Sequence, residues 1–190
     1  PSAWIGEHGA IHMVPQLVER ESDIYVAYGS FDKKTAVMTP YYLNFHLNRC
    51  FADFELTPTE YGACVRVEFE KDYNRYLSVM SVCDKAYYEF SFDAENNRLY
   101  AKTDCDSYVL KSDDKGKLIS YFVFQFDDDT INVEKIIIDD LKGGRKNGTS
   151  VKGNGSCIHL ALKKKKVQYT MATSFISYEQ ALQNLKNDST

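Results

Sequence analysis

The segment YFVFQFDDD, residues 121–129, decides how the rest of the chain is read. Four aromatic rings fall within six residues, and the chain then turns acidic. Successive strand residues point to opposite faces, so rings occur on both sides of this segment. A strand that covers one core needs only one apolar face. The other face must meet a second layer, a partner or a ligand.

Working outward, strand-like runs recur at short intervals between turn residues. They include YYLNFHL (41–47), CFADFEL (50–56), RYLSVMSV (75–82) and AYYEFSF (86–92). ACVRVEFEKDY (63–73) alternates cleanly, with Val65, Val67 and Phe69 on one side and Arg66, Glu68 and Glu70 on the other. DAENN (93–97) reads as a turn leading into RLYAKTD (98–104), and DDKG (113–116) as a hairpin turn into LISYFVFQF (118–126). CIHLALKKKKVQYTMA (157–172) is read as extended. TINVEKIIIDDLK (130–142) is assigned to strand, because three consecutive isoleucines crowd a helix. DLKGGRKNGTSVKGNGS (140–156) reads as an exposed polar loop. Residues 1–22, broken by Gly6, Gly9 and Pro15, read as a leader with a helical turn near Gln16 to Arg20.

One helix is expected, over 174–188. Ser174 or Ser177 can cap it, and Phe175, Tyr178, Leu182 and Leu185 recur at three- and four-residue steps. About eight strands with one terminal helix must hide their edges, in a closed barrel or in a two-sheet sandwich. The expectation adopted is an eight-stranded antiparallel up-and-down barrel, one domain over 1–190, with the C-terminal helix packed outside. That helix would cover the second apolar face of the quoted segment. A sandwich with a covering helix fits the same pattern.

The chain has 190 residues, a net charge of −4, and 14 Tyr and 11 Phe against one Trp. The charge argues against general nucleic-acid binding, which uses a basic surplus, and no apolar run reaches the ~18 residues of a membrane span. Cys50, Cys64, Cys83, Cys105 and Cys157 show no zinc-like spacing. They are disulfide candidates and, with glycosylation sequons at Asn147, Asn154 and Asn187, point to a secreted protein. No cofactor, metal or enzyme motif is evident. His8 and His12 are separated by Gly9, and the Asp127–Asp129 run lacks the ligand spacing of a calcium loop.

The stretch TDCDSYVLKSDDKGKLISYFVFQFDDD (103–129), with AW (3–4) and DIYVAYGSF (23–31), resembles secreted lipocalins of the tick salivary type that bind small amines. The resemblance implies an eight-stranded barrel with a cavity open at one end, and a non-enzymatic protein that sequesters a small hydrophobic or amine ligand to modulate host defence. Tyr87, Glu89, Tyr100, Tyr108, Phe122 and Phe124 are the expected ligand wall, with Glu89 facing the amine. A wet outer face, on which Glu68, Glu70 and Glu89 pair with Arg66 or Lys102, is the other reading of the strand carboxylates. The lysine run 163–166 offers a second functional reading, a module with a filled core that binds a host protein through its loops and basic rim.

Overall fold

The computed structural model describes residues 10–17, 29–105, 118–140 and 144–188. Trp4, most of DIYVAYGSF, the DDKG turn and Tyr108 lie outside them.

The chain enters as a strand, β1 (Ile11–Gln16), where a leader was expected; Pro15 is tolerated because β1 is an edge strand. Then follow β2 (Val37–Thr39), β3 (Tyr42–Leu47), β4 (Ala52–Pro58), β5 (Gly62–Phe69), β6 (Arg75–Ser81), β7 (Tyr87–Asp93), β8 (Arg98–Thr103) and β9 (Ser120–Phe126). A 3-10 turn (Val133–Lys135) precedes β10 (Ile137–Asp140), so the isoleucine run is a strand only in its second half. The glycine-rich segment expected as a loop instead contributes β11 (Gly144–Asn147) and β12 (Ser150–Asn154). The CIHLALKKKKVQYTMA run breaks at its lysines into β13 (Cys157–Leu162) and β14 (Lys166–Ser174), and helix α1 spans Tyr178–Asp188.

The strands pair into two antiparallel sheets. One has the order β1-β6-β13-β10-β11, and the other β12-β7-β8-β9-β14-β5-β4-β3-β2. Among the described residues neither sheet closes on itself, and the expected eight-stranded barrel gives way to two antiparallel sheets that share one core. The neighbours that decide between these architectures, β6 with β13 and β5 with β14, come from distant parts of the chain.

One core lies between the sheets. Val65, Val67, Phe69, Phe90, Phe122, Phe124, Phe126 and Tyr169 from the nine-stranded sheet meet Leu77, Val79, Ile158 and Leu160 from the five-stranded one. The rings interlock: Phe124 meets Tyr169 edge-on at 6.3 Å, Phe126 meets it at 5.2 Å, and Phe92 meets Phe126 at 6.3 Å. The centre is filled with side chains.

The second apolar face of the quoted segment is covered by α1. Val123 on β9 and Ala172 on β14 form a separate buried cluster with Ala181 and Leu185 of the helix. Ser177 caps α1, its Oγ accepting from the Gln180 amide at 3.2 Å. At the far end the Asp188 carboxylate accepts from Thr59 Oγ1 at 2.6 Å and from the Tyr61 amide at 3.3 Å. Asn184 donates to the Thr173 carbonyl at 2.8 Å. The helix is therefore fastened at its start, middle and end. Gly62 opens β5 where a Cβ would stand 1.9 Å from the Met171 carbonyl oxygen, so only glycine lets β5 and β14 close.

Candidate functional site

Alternation places Tyr87 and Glu89 of β7, Tyr100 and Lys102 of β8, and Tyr121 of β9 on the outer face of the nine-stranded sheet. Cross-strand register sets Glu89 opposite Lys102 and Lys102 opposite Tyr121, so these three form one row. Tyr178, in the first turn of α1, drops between the next ring and the end of that row. It meets Tyr100 edge-on at 5.4 Å and Tyr121 edge-on at 5.1 Å.

The electrostatics of the row are mixed. Tyr87 donates its hydroxyl to Glu89 Oε1 at 2.9 Å. Lys102 Nζ stands 3.8 Å from the same carboxylate and 5.9 Å from the Tyr121 ring centroid. Side-chain exposure is 36% for Glu89 and 29% for Lys102, so both heads remain accessible. Burial pushes the Tyr178 hydroxyl well above the usual phenol range, and the Glu89 charge adds to the shift. Tyr87 moves the same way, first through burial and then through its bond to Glu89. Both phenols stay protonated at neutral pH, and Tyr87 is thereby the donor to Glu89.

Three residues of the expected ligand wall, Tyr87, Glu89 and Tyr100, thus meet on an outer surface, where Glu89 pairs with Lys102. Phe122 and Phe124 lie apart from them, inside the sandwich core, stacked at 6.4 Å. Tyr121, Lys102 and Tyr178 complete the cluster; the sequence offered them as a strand ring, a partner for a wet-face acid and a helix-face residue, and did not bring them together. Strand register would have shown Tyr121 and Lys102, but it depends on a β8–β9 pairing that spans the long segment 104–119. Tyr178 could be placed only once the helix was seen to sit on β9.

A cavity of about 210 Å³ opens elsewhere, where the β3–β4 end of the large sheet extends past edge strand β1. Its lining includes Met13, Pro15, Phe45, Leu47, Cys50 and Phe54. The lysine run is neutralised piece by piece. Lys163 pairs with Asp129 at 2.6 Å and Lys166 with Glu68 at 3.2 Å, while Lys164 donates to the Asp128 carbonyl. No disulfide joins the five cysteines, the disulfide candidates of the sequence, among the described residues. They sit on separate elements: Cys64 beside Thr170 on the outer face of β5, Cys157 with Met80 on the outer face of the small sheet, and Cys50 in the β3–β4 turn. Asn147 and Asn154 are exposed, their side-chain amides donating to the Glu134 and Lys85 carbonyls at 3.4 and 3.0 Å. His159 is buried, its Nδ1 2.7 Å from Ser78 Oγ, and His46 lies 2.9 Å from Asp53. No group of three or more metal-ligating side chains occurs among the described residues.

Comparison with known proteins gives the fold a precedent. A family GH92 inverting mannosidase from Bacteroides thetaiotaomicron VPI-5482 superposes with a TM-score of 0.77 and 20% identity over 93% of this chain and 23% of that one. The fold is shared. A family GH92 α-mannosidase from the same species superposes with a TM-score of 0.72 and 12% identity, over 94% of this chain and 26% of that one. The GH92 family glycosyl hydrolase ccman5 gives 0.73 and 11%, over 94% and 25%. The chain therefore spans about a quarter of the length of the solved structures it matches. No family profile and no curated protein matches it.

These neighbours, with the two-sheet architecture, overturn the lipocalin resemblance and the amine-sequestering function drawn from it. The motifs behind that resemblance were an acidic turn and an aromatic strand. Both arise wherever a strand is covered on two sides and ends at a wet corner, so they do not distinguish a barrel from a sandwich.

Proposed function

We propose that this chain is a non-catalytic β-sandwich module that works as part of a mannoside-processing hydrolase. The observation that carries the reading is the superposition on an inverting mannosidase, which accounts for 93% of this chain and 23% of that one. The larger remainder of such an enzyme would hold the chemistry, and this module would support it and contribute surface to it.

The distribution of carboxylates supports the non-catalytic part. Inverting hydrolysis of a glycoside needs two carboxyl groups about 6.5–9.5 Å apart across a site that admits sugar and water. Here Glu55 is bound to Arg66 and Tyr42, Glu68 to Lys166, Glu89 to Lys102, Asp129 to Lys163 and Asp139 to Arg145. Each of these acids serves a cation on a sheet face or turn, and the 210 Å³ cavity is lined without a carboxylate.

The test is to purify the native protein from its source, together with whatever it is joined or bound to, and assay it beside the isolated 190-residue chain on aryl α-mannosides. The native assembly is expected to hydrolyse them and the isolated chain is not. Turnover by the isolated chain, or a native assembly without glycosidase activity, overturns the proposal.

A further inference from the structure

We infer that the outer surface of β7, β8 and β9 beside the start of α1 binds a neutral hexose, with Glu89 and Lys102 as its polar anchor and the tyrosines as its wall. The inference rests on the module reading for the choice of a mannose-type sugar. The chemistry of the surface points to a neutral polyol by itself.

Glu89 and Lys102 leave hydrogen-bonding capacity over. A carboxylate offers about four acceptor positions, and an ammonium three donors. Glu89 receives one strong bond, from Tyr87, and Lys102 approaches it only to 3.8 Å, longer than a direct hydrogen bond. An acceptor and a donor therefore stand side by side with unused capacity. That is the complement of two adjacent sugar hydroxyls, each of which donates and accepts. The rings of Tyr100, Tyr121 and Tyr178, from three elements, meet beside this pair and supply an aromatic wall.

Other ligand charges fit poorly. A cationic amine would meet Lys102, which already occupies the approach to both Glu89 and the Tyr121 ring. A phosphate or carboxylate would meet Glu89. A neutral polyol meets neither repulsion, and its C–H face suits aromatic rings that are part apolar and part polar.

Helix anchoring accounts for the rings of Tyr100 and Tyr178 but not for the charged pair beside them. The apolar contact that holds α1 is made by Val123, Ala172, Ala181 and Leu185, with Tyr100, Tyr178 and Leu182 packed against it. Tyr87, Glu89 and Lys102 take no part in it.

The test is saturation-transfer NMR on the isolated chain with methyl α-mannoside and mannobiose, with phosphate and a primary alkylamine as competitors. Wild type is expected to saturate in the millimolar range. Glu89→Gln and Lys102→Met are each expected to weaken binding by about tenfold, as befits loss of a charge-assisted bond, with unfolding curves unchanged. Tyr87→Phe should weaken it less, since Glu89 stays in place. Absence of sugar saturation, sugar binding unaffected in both charge variants, or stronger competition by phosphate or amine than by sugar overturns the inference. If the native assembly hydrolyses mannosides while the isolated chain binds no sugar, this inference falls and the module reading stands. If the chain binds sugar through Glu89 but the native assembly lacks glycosidase activity, the module reading falls and the binding surface remains.

Discussion

Replacing Phe124 with alanine probes the central feature of the interior, that it is packed solid with rings. Phe124 is fully buried, stacked on Phe122 at 6.4 Å and edge-on to Tyr169 at 6.3 Å. Truncating a phenylalanine in a close-packed core costs about 3–5 kcal/mol, from lost transfer energy and the cavity left behind. For a chain of this size each kcal/mol moves the melting temperature by about 2–4 °C, so the variant should melt about 6–20 °C below wild type. Urea denaturation followed by Tyr fluorescence and far-UV circular dichroism would measure the loss, as a lower midpoint at unchanged slope. Tyr169→Phe is the matched control. That hydroxyl is buried and, among the described residues, reaches the Met13 sulfur at 3.7 Å, so removing it discards a weak bond and a desolvated polar group. The control should lie within about 1 kcal/mol of wild type. A Phe124→Ala loss below about 1 kcal/mol would refute the packing argument, because it would mean the ring borders empty space or water.

Other expectations follow from the helix, the charges and the thiols. Leu185→Ala should cost about 2–4 kcal/mol by uncovering the Val123–Ala172 strip, and Ser177→Ala about 1 kcal/mol by removing the cap; equal losses in the two variants would contradict the buried cluster. Arg66, and then Tyr42, holds the Glu55 carboxyl below its ordinary value of 4.5. The stability this supplies is fully present above that pH and fades as pH falls through the lower folded-state value. Wild type should thus exceed Glu55→Gln in melting temperature at pH 7, with the gap closing below about pH 4; a gap that widens on acidification would exclude the pairing. Burial raises the Cys50 and Cys157 thiols to about 11. At pH 8 roughly a thousandth of each is thiolate, so both should react slowly with a disulfide reagent until denaturant exposes five thiols. Fewer than five would mean a disulfide exists.

Much of the local structure was legible. Alternation in ACVRVEFE put Val65, Val67 and Phe69 inward, as observed, because a half-buried strand stamps its period on the chain. The DAENN turn formed, with Asn97 at φ 51° and Asp93 accepting from the Glu95 and Asn96 amides. The helix expected at 174–188 begins at Tyr178, and it covers the outer face of β9 as the two-sided apolar pattern required. Partnership between distant strands was not legible. Alternation shows which residues share a face, and it is silent on which strand lies alongside. The barrel was therefore adopted where a sandwich fitted the same pattern, and Phe122 and Phe124 were grouped with Tyr87 and Glu89 although they point to the opposite side of the sheet. The segments taken for leader and loop, now β1, β11 and β12, failed for another reason. Proline and glycine mark turns in isolation, but sheet edges tolerate them. For the candidate site, residue types were readable strand by strand, while the joining of β7, β8, β9 and α1 came only with the fold.

The unequal widths of the two sheets have a mechanical consequence. Among the described residues nine strands lie against five, and the larger sheet finishes at β4-β3-β2, where Val37 and Met38 of β2 stand exposed. Backbone opening should begin at that flap and spread inward, while β6, β13 and β9, hemmed in by neighbours above, below and alongside, exchange their amides only when the whole molecule comes apart. Among the described residues β2 has no neighbour on its outer side, and such a rim is a ready template for a foreign chain to zip onto. The face that melts most easily is also the one most open to capture.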